Sequence, residues 1–91
     1  MMNIEKNLPI VNVKGLHARA SAKFVEMVEE HNAEASVSRD GMTVSGDSIM
    51  GLLMLAASKG TSINVVTTGD QAEALAEALE ELVNNRFGEE A

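Results

Sequence analysis

The chain has 91 residues, fourteen acidic and seven basic, with a formal net charge of −7; it can form one small domain, and its acidic balance argues against nucleic-acid binding. It has no cysteine, which excludes disulfides and cysteine-ligated metal sites. Its longest apolar run, residues 52–57, is far shorter than the roughly 20 residues that cross a bilayer. The first residues contain no apolar signal segment. We therefore predict a cytoplasmic protein that binds no membrane.

The first predicted element is a strand over residues 8–13, in which Leu8, Ile10 and Asn12 share one face. Pro9 cannot donate a hydrogen bond to a strand ladder, so it is expected at the start of the strand or on an edge of the sheet. The strand ends in a turn, and a strand-to-helix corner follows.

A helix is predicted over residues 21–31, after the turn at Lys14 and Gly15. Its apolar positions recur at helical spacing: Ala18, Ala22, Val25 and Val28. His31 ends this helix among glutamates, and we interpret it as a solvated residue.

A β-hairpin is predicted next, because residues 33–39 alternate between apolar and polar side chains. Asp40 and Gly41 are a strong signal for a two-residue hairpin turn. Residues 42–45 form the returning strand, which should pair antiparallel with the first.

Ser48 is a typical N-cap for a short second helix that is apolar almost all round. Complete burial of such a helix is difficult in a small domain, so part of it should be exposed and available to partners. We expect the exposed docking surface to consist of Ile49, Met50, Leu53 and Met54.

The last two predicted elements are a strand over residues 62–68 and an amphipathic helix over residues 71–85, capped by Asp70. The core should extend over about residues 7–85, with residues 86–91 as a flexible tail. The resulting order, β-α-β-β-α-β-α, predicts an α+β sandwich with one antiparallel sheet and helices on one face.

His17 lies at the predicted strand-to-helix corner, within Gly-Leu-His-Ala-Arg at residues 15–19. Free N–H groups at a helix N-terminus attract anions, and a neutral imidazole is a nucleophile near pH 7. The guanidinium of Arg19 is suited to phosphate. This combination indicates a histidine that takes up a phosphoryl group, with backbone N–H groups of Ala18 and Arg19 beside it. No second ligand follows at helical spacing, so we predict no metal site.

Two stretches, Gly-Leu-His-Ala-Arg at 15–19 and Ser-Ile-Met-Gly-Leu-Leu-Met-Leu at 48–55, together resemble the HPr phosphocarrier family of the bacterial phosphotransferase system. The resemblance implies an open-faced sandwich with a four-stranded antiparallel sheet and three helices on one face. It also implies that enzyme I phosphorylates His17 on Nδ1, that Arg19 steadies the phosphate, and that an enzyme IIA is the acceptor. No cofactor is implied.

The resemblance extends to regulation, because in some family members an HPr kinase/phosphorylase modifies the serine that corresponds to Ser48. Three features differ between the branches of the family. Ala20 replaces the proline of many sugar-branch members, Asn12 and residues 52–55 are similar to the nitrogen-related NPr branch, and Asp47 stands where several kinase-regulated members carry a basic residue.

A phosphoryl carrier, a substrate of kinases more than an enzyme, is therefore the predicted function, and a monomer is the expected state. The chain has no Gly-rich phosphate loop with a lysine to bind ATP. Two alternatives are open at this point. One is a regulatory interaction module that acts through Ser48 and the methionine-rich helix; the other is a small acyl-phosphate hydrolase, which would release free phosphate.

Overall fold

The computed structural model describes residues 3–91, which form four strands, three α-helices and a final 3₁₀ turn. The observed order is β-α-β-β-α-β-α, as predicted. The elements are β1 (Asn3–Pro9), α1 (Ala18–Glu29), β2 (Glu34–Arg39), β3 (Met42–Ser45), α2 (Ile49–Met54), β4 (Ser62–Thr68) and α3 (Ala72–Asn84), followed by the 3₁₀ turn Arg86–Gly88.

The sheet has the strand order β1-β4-β2-β3, and every neighbouring pair is antiparallel. Buried and more exposed residues alternate along β4, where Ile63, Val65 and Thr67 are buried. Because successive side chains of a strand point to opposite faces, one face of the sheet carries the core and the other faces solvent. The predicted α+β sandwich is therefore confirmed.

The first strand differs from its predicted range of residues 8–13. It begins at Asn3, pairs with Thr68 there, and ends at Pro9 opposite Ser62. The first residues of β1 are mostly polar and give no clear strand pattern, because an edge strand with one face in solvent needs few apolar residues. Pro9 tolerates this place because β1 is an edge strand.

The first helix begins at Ala18, three residues before the predicted start, and ends at Glu29. Its apolar face was also predicted wrongly in part, because Ala18 is exposed and Ala22 only half-buried. The residues that pack into the core are Ala20, Ser21, Phe24, Val25 and Val28. Phe24 is completely buried and supplies one of the two aromatic rings of the chain.

The hairpin and the caps of the later helices follow local chemistry. Asp40 and Gly41 have φ values of 50° and 81°, as a two-residue hairpin turn between twisted strands requires. The N-cap prediction at Ser48 is confirmed, because its Oγ accepts a 2.9 Å hydrogen bond from the N–H of Gly51. Asp70 does not cap α3; its carboxylate accepts a hydrogen bond from the Asn32 side chain instead.

The C-terminal segment was predicted to be a flexible tail, and its structure corrects that prediction. Phe87 is buried, with 1% of its surface exposed, and it belongs to the hydrophobic core. Lys23 Nζ donates a 2.7 Å hydrogen bond to the Phe87 carbonyl oxygen, which ties the segment to α1. The Phe87 side chain explains the difference, because burying an aromatic ring stabilises the segment by several kcal/mol.

None of the helices within residues 3–91 is both long enough and apolar enough to cross a membrane.

Candidate phosphoryl-accepting site

The corner before α1 depends on the backbone of Gly15, which has a φ of 66°. Its N–H donates to the Asn12 carbonyl oxygen over 3.2 Å, and the next residue, Leu16, donates to the Ala57 carbonyl oxygen over 2.9 Å. A Cβ at position 15 would lie 2.6 Å from that same Ala57 oxygen. Glycine is therefore required here both by the backbone conformation and by the close approach of a second chain segment.

His17 is the N-cap of α1, with extended backbone angles and a carbonyl oxygen that accepts a 2.8 Å hydrogen bond from the Ser21 N–H. Its side chain makes no capping hydrogen bond to the helix. The first backbone N–H groups of α1, starting with Ala18 and Arg19, therefore point toward the histidine end without an intrahelical acceptor. The imidazole is 27% exposed, so it is accessible from solvent.

Glu89 contacts the His17 ring, although 72 residues separate the two in sequence. One carboxylate oxygen, Oε2, is hydrogen-bonded to His17 Nε2, and the other, Oε1, accepts a 3.0 Å hydrogen bond from Asn12 Nδ2. No sequence signal indicated this residue, because it lies beyond the last predicted helix in a short acidic stretch. Asn12 was predicted only to share a strand face with Leu8 and Ile10; it lies beyond the end of β1 and is fully buried.

The orientation of the Asn12 amide follows from its neighbours. Nδ2 donates to the Gly15 carbonyl oxygen over 2.8 Å as well as to Glu89. Both neighbours are acceptors, so only the nitrogen of the amide can face them. Asn12 Oδ1 points away and has no hydrogen-bond partner among residues 3–91.

The Asn12 amide and, next, the His17 ring hold the pKa of the Glu89 carboxyl below its ordinary value of 4.5. Lys14 contributes to the same direction through its charge. Hydrogen bonds and positive charge favour the ionised form of a carboxyl group. Glu89 is consequently a carboxylate at neutral pH.

Arg19 is exposed and lines a surface groove between the first turns of α1 and the C-terminal segment. The groove is lined by Val13, Lys14, Arg19, Lys23, Gly88, Glu89, Glu90 and Ala91. Three of these side chains are cationic and two, those of Glu89 and Glu90, are acidic, so the groove carries charges of both signs. Of the three cations, Lys23 also anchors the C-terminal segment through its hydrogen bond to the Phe87 carbonyl oxygen.

The second predicted surface lies on α2, which packs against α1. Met50 and Met54 are 69% and 62% exposed, Ile49 is also exposed, and Leu53 is half-buried. Leu52 points inward and is completely buried. The prediction that part of this helix is exposed is confirmed for these residues, because a one-and-a-half-turn helix can bury only one of its sides.

His31, the other histidine, has a different environment. Its Nδ1 donates a 2.7 Å hydrogen bond to the Met27 carbonyl oxygen, one turn back in α1. A carbonyl oxygen only accepts, so this nitrogen carries a proton and has no free lone pair. Within residues 3–91, no group of three or more His, Cys, Asp or Glu side chains is placed to hold a metal ion.

The fold and the site define a small α+β sandwich that presents a histidine at the N-terminus of its first helix. The family model described as the PTS HPr component phosphorylation site matches residues 4–85. The chain belongs to the HPr family of phosphocarrier proteins.

Individual relatives agree with this assignment. Phosphocarrier protein HPr of Neisseria meningitidis is 47% identical over 94% of this chain and 97% of its own length. Phosphocarrier protein NPr of Shewanella violacea is 35% identical over 98% of both chains. The crystal structure of HPr-C-His from Thermoanaerobacter tengcongensis superposes with a TM-score of 0.92 at 35% identity, over 97% of this chain and 99% of the other. Membership of this family supports a phosphocarrier role in the phosphotransferase system.

Proposed function

We propose that the protein accepts a phosphoryl group on His17 from enzyme I and passes it to an enzyme IIA. The observation that carries this proposal is the place of His17 at the N-cap of α1, where its ring makes no capping hydrogen bond. The ring nitrogen Nδ1 is thus available as a nucleophile beside backbone N–H groups that favour an anion. Partial exposure of the ring agrees with a group that must be handed on, since a deeply enclosed phosphate could not be transferred.

The surroundings of His17 suit a phosphoryl group. The N–H groups of Ala18 and Arg19 and the helix dipole favour negative charge at this end of α1 by about 0.3–1 kcal/mol. The Arg19 guanidinium adds donors that match phosphate oxygens. Each of these interactions is modest, so the phosphate is held loosely enough to be transferred onward.

The test of this function is intact mass after incubation with enzyme I and phosphoenolpyruvate. We expect one added phosphate that mild acid removes, because the N–P bond of phosphohistidine is acid-labile whereas a serine ester is not. Addition of an enzyme IIA should then discharge the carrier without release of a matching amount of free phosphate. A hydrolase would give a different result. With enzyme I and phosphoenolpyruvate present but no acceptor, it would release free phosphate continuously, as the protein is repeatedly phosphorylated and hydrolysed.

The exposed side of α2, formed by Ile49, Met50, Leu53 and Met54, is proposed as the docking surface for both partners. Methionine side chains are flexible and polarisable, which suits a surface that must fit more than one partner. The surface lies on a helix that packs against α1, the helix that carries His17. The segment that follows α2 also reaches the turn before His17, because the Leu16 N–H donates to the Ala57 carbonyl oxygen. We therefore expect a partner on α2 to lie close to the phosphoryl group.

Met50→Glu should weaken binding to enzyme I at least 10-fold, the loss typical of a central interface residue. The free energy of unfolding should change by only about 0.5 kcal/mol, because the side chain is 69% exposed. Ala74→Glu on α3 is the matched control, since it is also exposed and introduces the same charge. Titration calorimetry and thermal unfolding give the two quantities; equal binding by both variants would contradict the docking proposal.

Ser48 is proposed as a site of regulatory phosphorylation by an HPr kinase. Its hydroxyl is at the N-cap of α2 and next to the docking surface, so a phosphate there would add charge where partners bind. The capping bond to Gly51 gives Ser48 a structural role as well, worth about 1 kcal/mol. Incubation with such a kinase and ATP should add an acid-stable phosphate that Ser48→Ala lacks.

A further inference from the structure

Glu89 reaches the carrier histidine from the opposite end of the chain, and its contacts determine which ring nitrogen holds the proton. A carboxylate only accepts hydrogen bonds, so His17 Nε2 must be the donor in its bond to Glu89 Oε2. In the neutral ring the proton then lies on Nε2, and Nδ1 carries the lone pair. The bond also anchors the plane of the ring, because it ties the far nitrogen to a fixed point.

The anchor itself is rigid. Glu89 Oε1 is held by Asn12 Nδ2, which also donates to the Gly15 carbonyl oxygen in the turn before His17. Asn12 is fully buried, so its amide has little freedom. Phe87, two residues before Glu89, is buried in the core and its carbonyl oxygen is held by Lys23.

We propose that Glu89 is a positioning residue for phosphoryl transfer, which keeps the His17 proton on Nε2 and balances the charge that the ring gains when Nδ1 is phosphorylated. This proposal rests on the function proposed above. In the transfer step the Nδ1 lone pair forms a bond to phosphorus, while the bond from phosphorus to the donor nitrogen breaks and its electron pair leaves with the donor. The ring keeps its Nε2 proton and becomes an imidazolium.

The Glu89 carboxylate lies against that proton and compensates the new positive charge without removing the proton. Carboxylates play the same part for the histidine of hydrolytic triads and for metal-bound histidines. The groove that Glu89 lines also carries the charged side chains of Lys14, Arg19, Lys23 and Glu90, and within residues 3–91 none of these forms a salt bridge with Glu89. Among residues 3–91, Glu89 is thus the carboxylate in direct contact with the carrier ring.

The proposal is tested with Glu89→Gln, which keeps the length of the side chain but has one acceptor oxygen and no charge. Glu90→Gln is the matched control, because it removes the same charge from the exposed neighbouring residue. Phosphoramidate is the phosphoryl donor; its N–P bond breaks and ammonia leaves. A small donor makes the measurement independent of docking to enzyme I.

Phosphorylation of Glu89→Gln should be about 10-fold slower than that of the wild type. This is the lower end of the loss of activity seen when a residue that orients a metal-binding histidine is replaced. Glu90→Gln should react like the wild type, and Glu89→Asp, which keeps the charge on a shorter side chain, should fall between them. Ring ¹⁵N NMR spectra at alkaline pH should show Nε2 protonated and Nδ1 unprotonated in the wild type. In Glu89→Gln, signals from the other tautomer should increase.

A Glu89→Gln variant that is folded by circular dichroism and reacts as fast as Glu90→Gln would overturn the proposal, whatever its ring spectrum. Failure of the proposed function has a different signature. In that case the wild type would take no phosphate from enzyme I, yet its ¹⁵N spectrum would still report the bond between Glu89 and His17.

Discussion

Replacement of His17 by alanine should abolish the acid-labile phosphorylation by enzyme I and phosphoenolpyruvate. The nucleophile is lost, and the other histidine is a poor substitute, because His31 follows the C-terminal end of α1, where the helix dipole and the free carbonyl oxygens disfavour a phosphoryl group. The fold should remain, since the His17 ring makes no capping bond to α1 and is only partly buried. Intact mass, which resolves a single added phosphate, should show less than about 1% of the wild-type signal, consistent with the loss of a covalent nucleophile.

His31→Ala is the matched control for this experiment, because it removes the only other imidazole of the chain. It should be phosphorylated to the same extent and at the same rate as the wild type. Phosphate that persists in His17→Ala and resists acid would move the modification to a hydroxyl group. The interaction-module hypothesis, with Ser48 as its centre, would then be favoured over the carrier.

Gly15→Ala should lower the free energy of unfolding by about 2–5 kcal/mol and slow phosphorylation as well. A non-glycine residue at a φ of 66° costs about 1–2 kcal/mol, and forcing a methyl group into a filled space costs about 1–3 kcal/mol more. The methyl group would lie 2.6 Å from the Ala57 carbonyl oxygen and 2.9 Å from Ser58 Cα. These are backbone atoms, so relief requires movement of the turn that places His17.

Gly60→Ala separates the two contributions. Gly60 also has a positive φ, 92°, but a Cβ there would meet nothing within 4 Å. This variant should show only the conformational cost and should be phosphorylated normally. Denaturant unfolding and the enzyme I assay measure both effects; if the two variants lose equal stability and keep equal rates, the close approach at Gly15 has no role in the site.

These two predictions describe complementary requirements of a carrier. The chemistry needs one nucleophilic nitrogen, and the geometry needs a turn tight enough to end beside the first N–H groups of a helix. In the proposed function, the ring of His17 supplies the nucleophilic nitrogen and the backbone of Gly15 supplies the turn. Arg19 and Glu89 line a groove on the protein surface, and we propose that they act there on a bound phosphate and on the ring, respectively.

Local sequence determined much of this protein. Alternation predicted β4 at residues 62–68, where the structure has it, because a strand with one buried face must repeat every two residues. Asp40 and Gly41 predicted the hairpin, and Ser48 predicted the start of α2, because their backbone or side-chain chemistry acts within three residues. His17 was predicted as the phosphoryl acceptor from its neighbours in sequence, and that role stays a prediction; the structure places the residue at the N-cap of α1.

Only the tertiary structure decided the features that depend on distant partners. The polar residues of β1 form a strand because their backbone groups pair with β4. The side chains of residues 3–7 do not by themselves favour a strand. Phe87 was predicted to lie in a flexible tail, but its ring is buried in the core, where residues distant in sequence surround it. Glu89 meets His17 across 72 residues of chain, and such a contact arises from packing of the whole domain, which no local pattern encodes.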